Sequence, residues 1–323
     1  MVRFAPWERF FPCSIDWLLR HSTLRDWKNP GFVKTRPTQA DLYRYSQFDS
    51  VHEFYLDVFA GQGGEPIQGR HVFAPMYVTA QLHNDFVEIT YLMLYAQQGA
   101  QTFAALKPGR PFLCVVEDFG SHQGDLEWIC VRTTTDLSHV LAVGFEAHGK
   151  VRFFPPGSFL AEGEHPIVHP SLNGHACLPA ADAGAVAVEY VRTHSIHGVL
   201  ATVDVTAGRA NDCGVVWRPF EVASGLLVLG LDETGEPIGD QLWSKFAGRL
   251  GNRLTYGFRT ATNLDGGRLG RDEWLHVRLL AALAQRLRLV PARYRSGIGP
   301  AGPGDSSRCF MRCARPMRAA RTQ

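Results

Sequence analysis

Val87-Glu88-Ile89-Thr90-Tyr91-Leu92 alternates apolar and polar side chains with a period of two, the pattern of a half-buried strand. Outward from it, short apolar or alternating segments recur at 71–79, 87–96, 111–117, 127–133, 139–146, 150–154, 199–205 and 225–231. Gly, Pro, Asn and Asp separate them. Such a density of short strands predicts a mainly β fold, a β-sandwich or jelly-roll-like domain with a few peripheral helices. Residues 12–23 read as one helix, with Ser14 as N-cap before Ile15, Leu18 and Leu19. Residues 271–289 read as another, with early acids and late arginines that suit the helix dipole, and Pro291 ends it. Its Leu-rich stripe reads as packing rather than a membrane anchor. No internal repeat is present. A single domain is expected over 1–290. The segment 291–323, Gly/Pro-rich and then Arg-rich, is expected to be a poorly ordered tail.

Composition narrows the function classes. Hydrophobic residues make up 45% and charged residues 20%, as in ordinary globular proteins. The net charge of +2 is too small to argue for nucleic acid. The charge is uneven, because Arg293, Arg295, Arg308, Arg312, Arg315, Arg318 and Arg321 meet a single acid, Asp305, beyond residue 290. An acidic partner could meet that end, but a solvated tail is the plainer reading. The seven cysteines are widely spaced and include no Cys-x-x-Cys, so no disulfide framework is expected. Cys114 and Cys130 lie in apolar runs and read as core thiols. No apolar run reaches the ~20 residues of a membrane span. The opening Met1-Val2-Arg3-Phe4-Ala5-Pro6-Trp7-Glu8 is unlike a signal peptide, so the chain as written reads as soluble.

Chemistry concentrates in Gly120-Ser121-His122-Gln123-Gly124-Asp125-Leu126-Glu127, which spaces an imidazole and two carboxylates as His-x-x-Asp-x-Glu. In a strand, Asp125 and Glu127 share a face. His122, from the preceding loop, would reach the same spot. That donor set suits Mg²⁺, Ca²⁺ or Mn²⁺ better than Zn²⁺. The competing reading is a turn whose Asp caps backbone amides and whose Glu is solvated. His175 and Asp118 are further candidates for the site. His175 follows Asn173-Gly174, which would allow a tight turn. No Gly-x-Ser-x-Gly, phosphate loop or His-Glu-x-x-His occurs, and Gly61-Gln62-Gly63-Gly64 reads as a turn. No catalytic residue is assigned, and a binding module is favoured over an enzyme.

Several segments, in order, resemble the vacuolar protein sorting-associated protein 62 family. They are Phe4 to Leu19, with its Ala5-Pro6, the acidic Glu8 and Pro12-Cys13-Ser14; Ala74-Pro75-Met76-Tyr77; Glu88 to Tyr95; and the Gly120–Glu127 stretch. Asn173-Gly174-His175-Ala176, then Asp204, Thr206, Gly208 and Trp217, and Phe246-Ala247-Gly248-Arg249-Leu250-Gly251 follow. Gly299-Pro300-Ala301-Gly302-Pro303 closes the series. Leu126 and Leu250 stand where that family prefers Trp, and the chain after Pro303 lacks the family's usual ending. The resemblance implies a role in protein transport to the vacuole and a cytoplasmic or endomembrane-associated place. The central stretch is also similar to the Gly-His-Arg-His-Asp-Trp-Glu heptad of the necrosis- and ethylene-inducing-like proteins, β-sandwich cytolysins. That likeness implies a divalent cation at His122, Asp125 and Glu127, facing a membrane. It also implies an upstream acid, for which Glu117 and Asp118 are near but differently spaced. Two further functions are carried beside a non-catalytic sorting module that meets an anionic or glycosylated ligand. One is a cation-dependent protein that binds membrane or glycolipid, and the other is a metal-dependent hydrolase.

Overall fold

The computed structural model describes residues 1–58, 74–100, 102–105, 112–116, 120–179, 191–197, 200–206, 214–222, 225–255, 261–262, 264–265, 267–271, 273–275, 277–279, 296–298 and 300–303. Its centre is a sheet ordered Lys150–Phe154, Val140–Ala147, His122–Thr133, Val87–Gln98, Met76–Leu82 and Leu226–Val228. All neighbours are antiparallel except the last pair, which is parallel. The strand around Val87 therefore sits in the middle, in register Tyr91↔Ile129, Met93↔Glu127 and Tyr95↔Asp125.

Both faces of this sheet are covered, which is why its strands stay apolar on alternate positions of each side. Leu92, Leu94 and Leu126 pack under the helix Ile15–Arg20 and against Leu24, Leu56, Trp243, Phe246 and Leu250. On the opposite face, Met93, Tyr95, Ile129, Val143 and Phe145 meet Val2, Phe4, Val168, Cys177 and Trp217. Those last residues belong to or adjoin a second sheet, ordered Cys177–Pro179, Val168–Pro170, Val2–Arg3 and Val216–Trp217. The fold is thus mainly β and sandwich-like. A further sheet, with Thr102–Ala105 and Phe112–Val116 at its heart, builds its own small core from Phe103, Cys114, Val116, Ala261 and Val277.

Helices depart from the expectations in instructive ways. Ser14 does cap the first, its Oγ accepting from Trp17 N at 3.1 Å. That helix ends at Arg20 rather than near 23, because Ser22–Asp26 leaves to pair with Phe54–Val58. A second helix, Gln39–Arg44, buries only Leu42, so it has no apolar stripe to betray it. What marks it is the Thr38–Asp41 capping box. Of the predicted 271–289 helix, residues 271, 273–275 and 277–279 are helical, and the remainder lies outside the described residues. Within them Val277 is buried, while Leu275 and Leu279 face solvent.

Part of the segment expected to fray is built into the fold. Ser296–Ile298 pairs with Arg253–Thr255, Leu250 N donates to Pro300 O, and Gly302 N donates to Gly248 O. Unmet backbone groups at 248–255 find their partners there, which ties the chain down through this stretch despite its glycines and prolines. Residues 304–323, with most of the arginines, lie outside the described residues, as does Gly61-Gln62-Gly63-Gly64. Cys13, Cys114, Cys130 and Cys177 are buried and outside any disulfide. Among the described residues no helix is long and apolar enough to cross a membrane.

Candidate functional site

Between the central sheet and the second sheet lies a seam of ionisable side chains, and most of them come from the quoted motifs. Asp125 and Glu127 are two apart on one strand. A positive φ of 65° at Gly124 breaks the alternation just before them. Gln123 consequently turns to the other side, where its Oε1 accepts from Val58 N and Asn252 N and its Nε2 donates to Val58 O.

His175 reaches Asp125 from a tight turn. Its amide donates to Ser171 O at 2.8 Å, and Ser171 N donates back to Ala176 O at 2.9 Å. Asn173 and His175 both hold left-handed backbone, with φ of 60° and 58°. Such a conformation costs a non-glycine residue about 1–2 kcal/mol, so the surrounding contacts must hold it in place. Those contacts are electrostatic. His175 Nδ1 donates to Asp125 Oδ2 at 2.9 Å, and Nε2 stands 3.8 Å from Glu8 Oε1, an ion-pair distance rather than a hydrogen bond. The ring lies flat on Tyr95, with centroids 3.9 Å apart and planes 7° apart. Glu8 in turn accepts from Arg9 N and Phe10 N on Oε1 and from Asn173 N on Oε2. One carboxylate thereby joins the start of the chain to the histidine turn.

Burial alone would depress the His175 pKa, but the carboxylates of Asp125 and Glu8 outweigh it and hold the ring up at about 9. The imidazole is therefore a buried imidazolium bridging two acids at neutral pH. Its contribution to stability is complete below the unfolded histidine value near 6.5, and it is lost as pH rises through 9. Denaturant melts should show stability falling between pH 7 and 9.5 by an amount on the order of 3 kcal/mol. His175→Gln should lose the histidine's share of that fall and keep only what the protonated Glu127 contributes. A wild-type stability that stays level across that interval would show an uncharged ring.

Deeper along the seam, Glu127 faces Glu146. Burial first, and then the charge of Glu146, push the Glu127 carboxyl well above the usual carboxylate range, so it keeps its proton. Glu127 is partly covered as a residue, but its Oε2 is shielded from solvent and has no hydrogen-bond partner. Glu146 is buried and accepts from Gly149 N. The Cys177 thiol nearby is held well above its ordinary pKa by burial and then by the Glu146 charge, and so stays protonated.

The predicted residues are thus placed as follows. Asp125 and His175 meet directly. Glu127 lies on the same strand, and the charge of Glu146 acts on it more than that of Asp125. His122 begins the strand instead of approaching from a loop, and its Nδ1 donates to the backbone oxygen of Gly124 at 2.7 Å. Asp118 and Glu117 lie outside the described residues. Glu8, Glu146 and Tyr95 were not among the predicted site residues. Glu8 carried a signal, as the acid after Ala5-Pro6 in the opening motif, whereas nothing marks Glu146 in an otherwise apolar strand.

As donors, these side chains suit a hard divalent cation: carboxylates predominate, and one buried carboxyl oxygen is unpartnered. The arrangement is closed on itself, however. Both Asp125 oxygens are engaged, by Leu126 N and His175, and among the described residues no three His, Cys, Asp or Glu side chains form a group able to hold a metal.

No protein-family model and no curated protein matches the chain. Two solved structures are similar to part of it. The Necrosis and Ethylene inducing Protein 2 from the causal agent of cocoa's witches' broom disease shows 14% identity and a TM-score of 0.27, over 53% of this chain and 58% of that one. The non-toxic HaNLP3 protein shows 12% identity and a TM-score of 0.23, over 48% and 51%. The match spans little more than half of either relative.

Proposed function

We propose that this chain is a non-catalytic β-sandwich binding module whose acidic seam responds to a divalent cation, with Mg²⁺, Ca²⁺ or Mn²⁺ ahead of Zn²⁺. The observation that carries this reading is the unpartnered, shielded Oε2 of Glu127 beside Glu146 and Asp125. Four carboxyls and one imidazole share the seam, so negative charge is left over even with Glu127 protonated. A cation taken up there would displace the Glu127 proton, and uptake should strengthen as pH rises. Burial supports the absence of catalysis: the His175 side chain is 0% exposed and that of Glu8 1%, which leaves a substrate no approach to either. A role in vacuolar sorting rests on the motif resemblance alone.

Thermal melts in Ca²⁺, Mg²⁺ or Mn²⁺ against a chelator test the reading. A cation held only by the folded state, at about 100 times its Kd, adds about 2.7 kcal/mol and must raise Tm. Glu127→Gln copies the protonated carboxyl, so it should fold as well as the wild type yet lose the cation response. No cation-dependent Tm in the wild type from pH 6 to 9, or an undiminished one in Glu127→Gln, defeats the proposal.

A second reading, attachment to a membrane or glycolipid surface as in a cytolysin, is favoured by one observation. Leu82, Leu137, Val140 and Leu141, each at least 45% exposed, gather at adjoining hairpin ends, where Val87 pairs with Thr133. Exposed apolar patches of this kind often mark contact surfaces. It stands on these residues and not on the structural likeness. Co-sedimentation with anionic and glycolipid vesicles, with and without Ca²⁺, decides it: protein that stays in the supernatant throughout removes it.

A further inference from the structure

The central sheet has an open edge. Lys150–Phe154 pairs with Val140–Ala147 on one side only, in unbroken register from Ala147↔Lys150 to Val143↔Phe154. Val151 and Phe153 are 37% and 38% exposed, and Lys150 and Arg152 also face solvent. An edge strand presents a row of unpaired N–H and C=O groups, a template for another strand, and proteins commonly blunt it with proline, a bulge or a covering segment. Among the described residues this edge has none of the three, and Pro155-Pro156 only follow its end. The hairpin turn fixes which groups face outward. His148 and Gly149 form a two-residue loop with φ of 57° and 79°, the left-handed pair of a type I′ turn. The residues flanking such a loop, Ala147 and Lys150, exchange both hydrogen bonds. Alternation then turns the backbone groups of Lys150, Arg152 and Phe154 inward and those of Val151 and Phe153 outward. Nothing among the described residues bonds to the outward groups.

The side chains say what kind of strand would fit. Val151 and Phe153 offer one apolar side, and the Arg132 guanidinium steadies the Phe153 ring from 3.7 Å above its centroid. On the other side, Lys150 and Arg152 have no ion-pair partner among the described residues. A strand added antiparallel to the outward groups would meet Arg152 at the closer, non-hydrogen-bonded spacing, where cross-strand side chains interact most strongly. An acid is favoured there, and a cation is repelled. That excludes two other occupants. A second copy paired about a two-fold axis at the strand's centre would set Arg152 against Arg152. The chain's own end beyond residue 303 carries Arg308, Arg312, Arg315, Arg318 and Arg321 against the one acid Asp305, so it has the wrong sign.

We propose that the edge Lys150–Phe154 takes up an extended acidic segment of a partner protein as a further antiparallel strand, with apolar residues opposite Val151 and Phe153 and acids beside Lys150 and Arg152. Main-chain hydrogen bonds would supply the affinity and the alternating side chains the selectivity. The site uses none of the side chains of the acidic seam and stands apart from the cation reading. The probe is a fluorescein-labelled peptide, Ser-Glu-Val-Glu-Val-Glu-Ser, followed by fluorescence anisotropy with the full chain. Wild-type protein should bind it, and the same peptide with lysine for each glutamate should bind about tenfold more weakly or not at all. Methylating the two valine nitrogens keeps the charge and removes the strand's donors, so it should abolish binding. Arg152→Glu, at an exposed position, should reverse the ranking of the two charged peptides. Val151→Pro removes an outward N–H that makes no bond within the sheet; it should keep the wild-type Tm and lose the peptide. The proposal is overturned if the wild type does not bind the acidic peptide, if the methylated peptide binds as well, or if Arg152→Glu keeps the wild-type ranking.

Discussion

His175→Ala should destabilise the protein by about 3–5 kcal/mol, the range for removing one partner of a buried ion pair. The size of the effect comes from what is left behind. Asp125 Oδ2 and the Glu8 carboxylate would remain buried with no positive charge between them, and the Tyr95 ring would lose the surface it stacks on. Urea melts at pH 7 read this directly. Asp125→Asn should cost less, because the amide oxygen still accepts from His175 and only the charge is lost. A loss under about 1 kcal/mol for His175→Ala would be typical of an exposed pair and would contradict the buried bridge.

The second large effect is expected at Gly124→Ala, with a loss of about 3–4 kcal/mol made up of left-handed strain and overpacking. A Cβ built there would lie 2.1 Å from the backbone oxygen of Leu250, on a residue whose φ is already 65°. Backbone cannot step aside as a flexible side chain can. The contact is reciprocal, since a Cβ on Gly251 would lie 1.9 Å from Gln123 O. The central motif and the Phe246–Gly251 motif therefore depend on each other. Denaturation midpoints of Gly124→Ala and Gly251→Ala should both fall steeply, and a Gly124→Ala protein as stable as the wild type would mean that the two segments do not touch.

Strand positions were legible from the period of two at Val87–Leu92 and its neighbours, but which face would be buried was not: both faces of the sheet are covered, so Thr90 is buried while Val87, Ile89 and Tyr91 are only partly so. The predicted segments at 87–96, 139–146, 150–154 and 199–205 correspond to strands Val87–Gln98, Val140–Ala147, Lys150–Phe154 and Leu200–Val205. Ser22–Asp26 and Phe54–Val58 went unread: the first overlapped a helical pattern, and their pairing is a long-range event that no local window contains. The site was legible in part. A period of two put Asp125 and Glu127 together, and Gly174 hinted at the turn that delivers His175. Spacing could not show that Asp125 would spend its free oxygen on His175, nor that Glu8, more than a hundred residues away along the chain, would stand on the ring's far side. Convergence of distant segments is a tertiary fact. The motif order carried it only as resemblance.

The most direct test is a ¹⁵N NMR titration of the His175 ring from pH 5 to pH 10. A buried imidazolium held between Asp125 and Glu8 predicts both ring nitrogens protonated at pH 7 and a midpoint near 9. A midpoint at or below the ordinary histidine value near 6.5 would contradict it. The seam would then hold a neutral ring, and the ion bridge from Glu8 through His175 to Asp125 would be wrong.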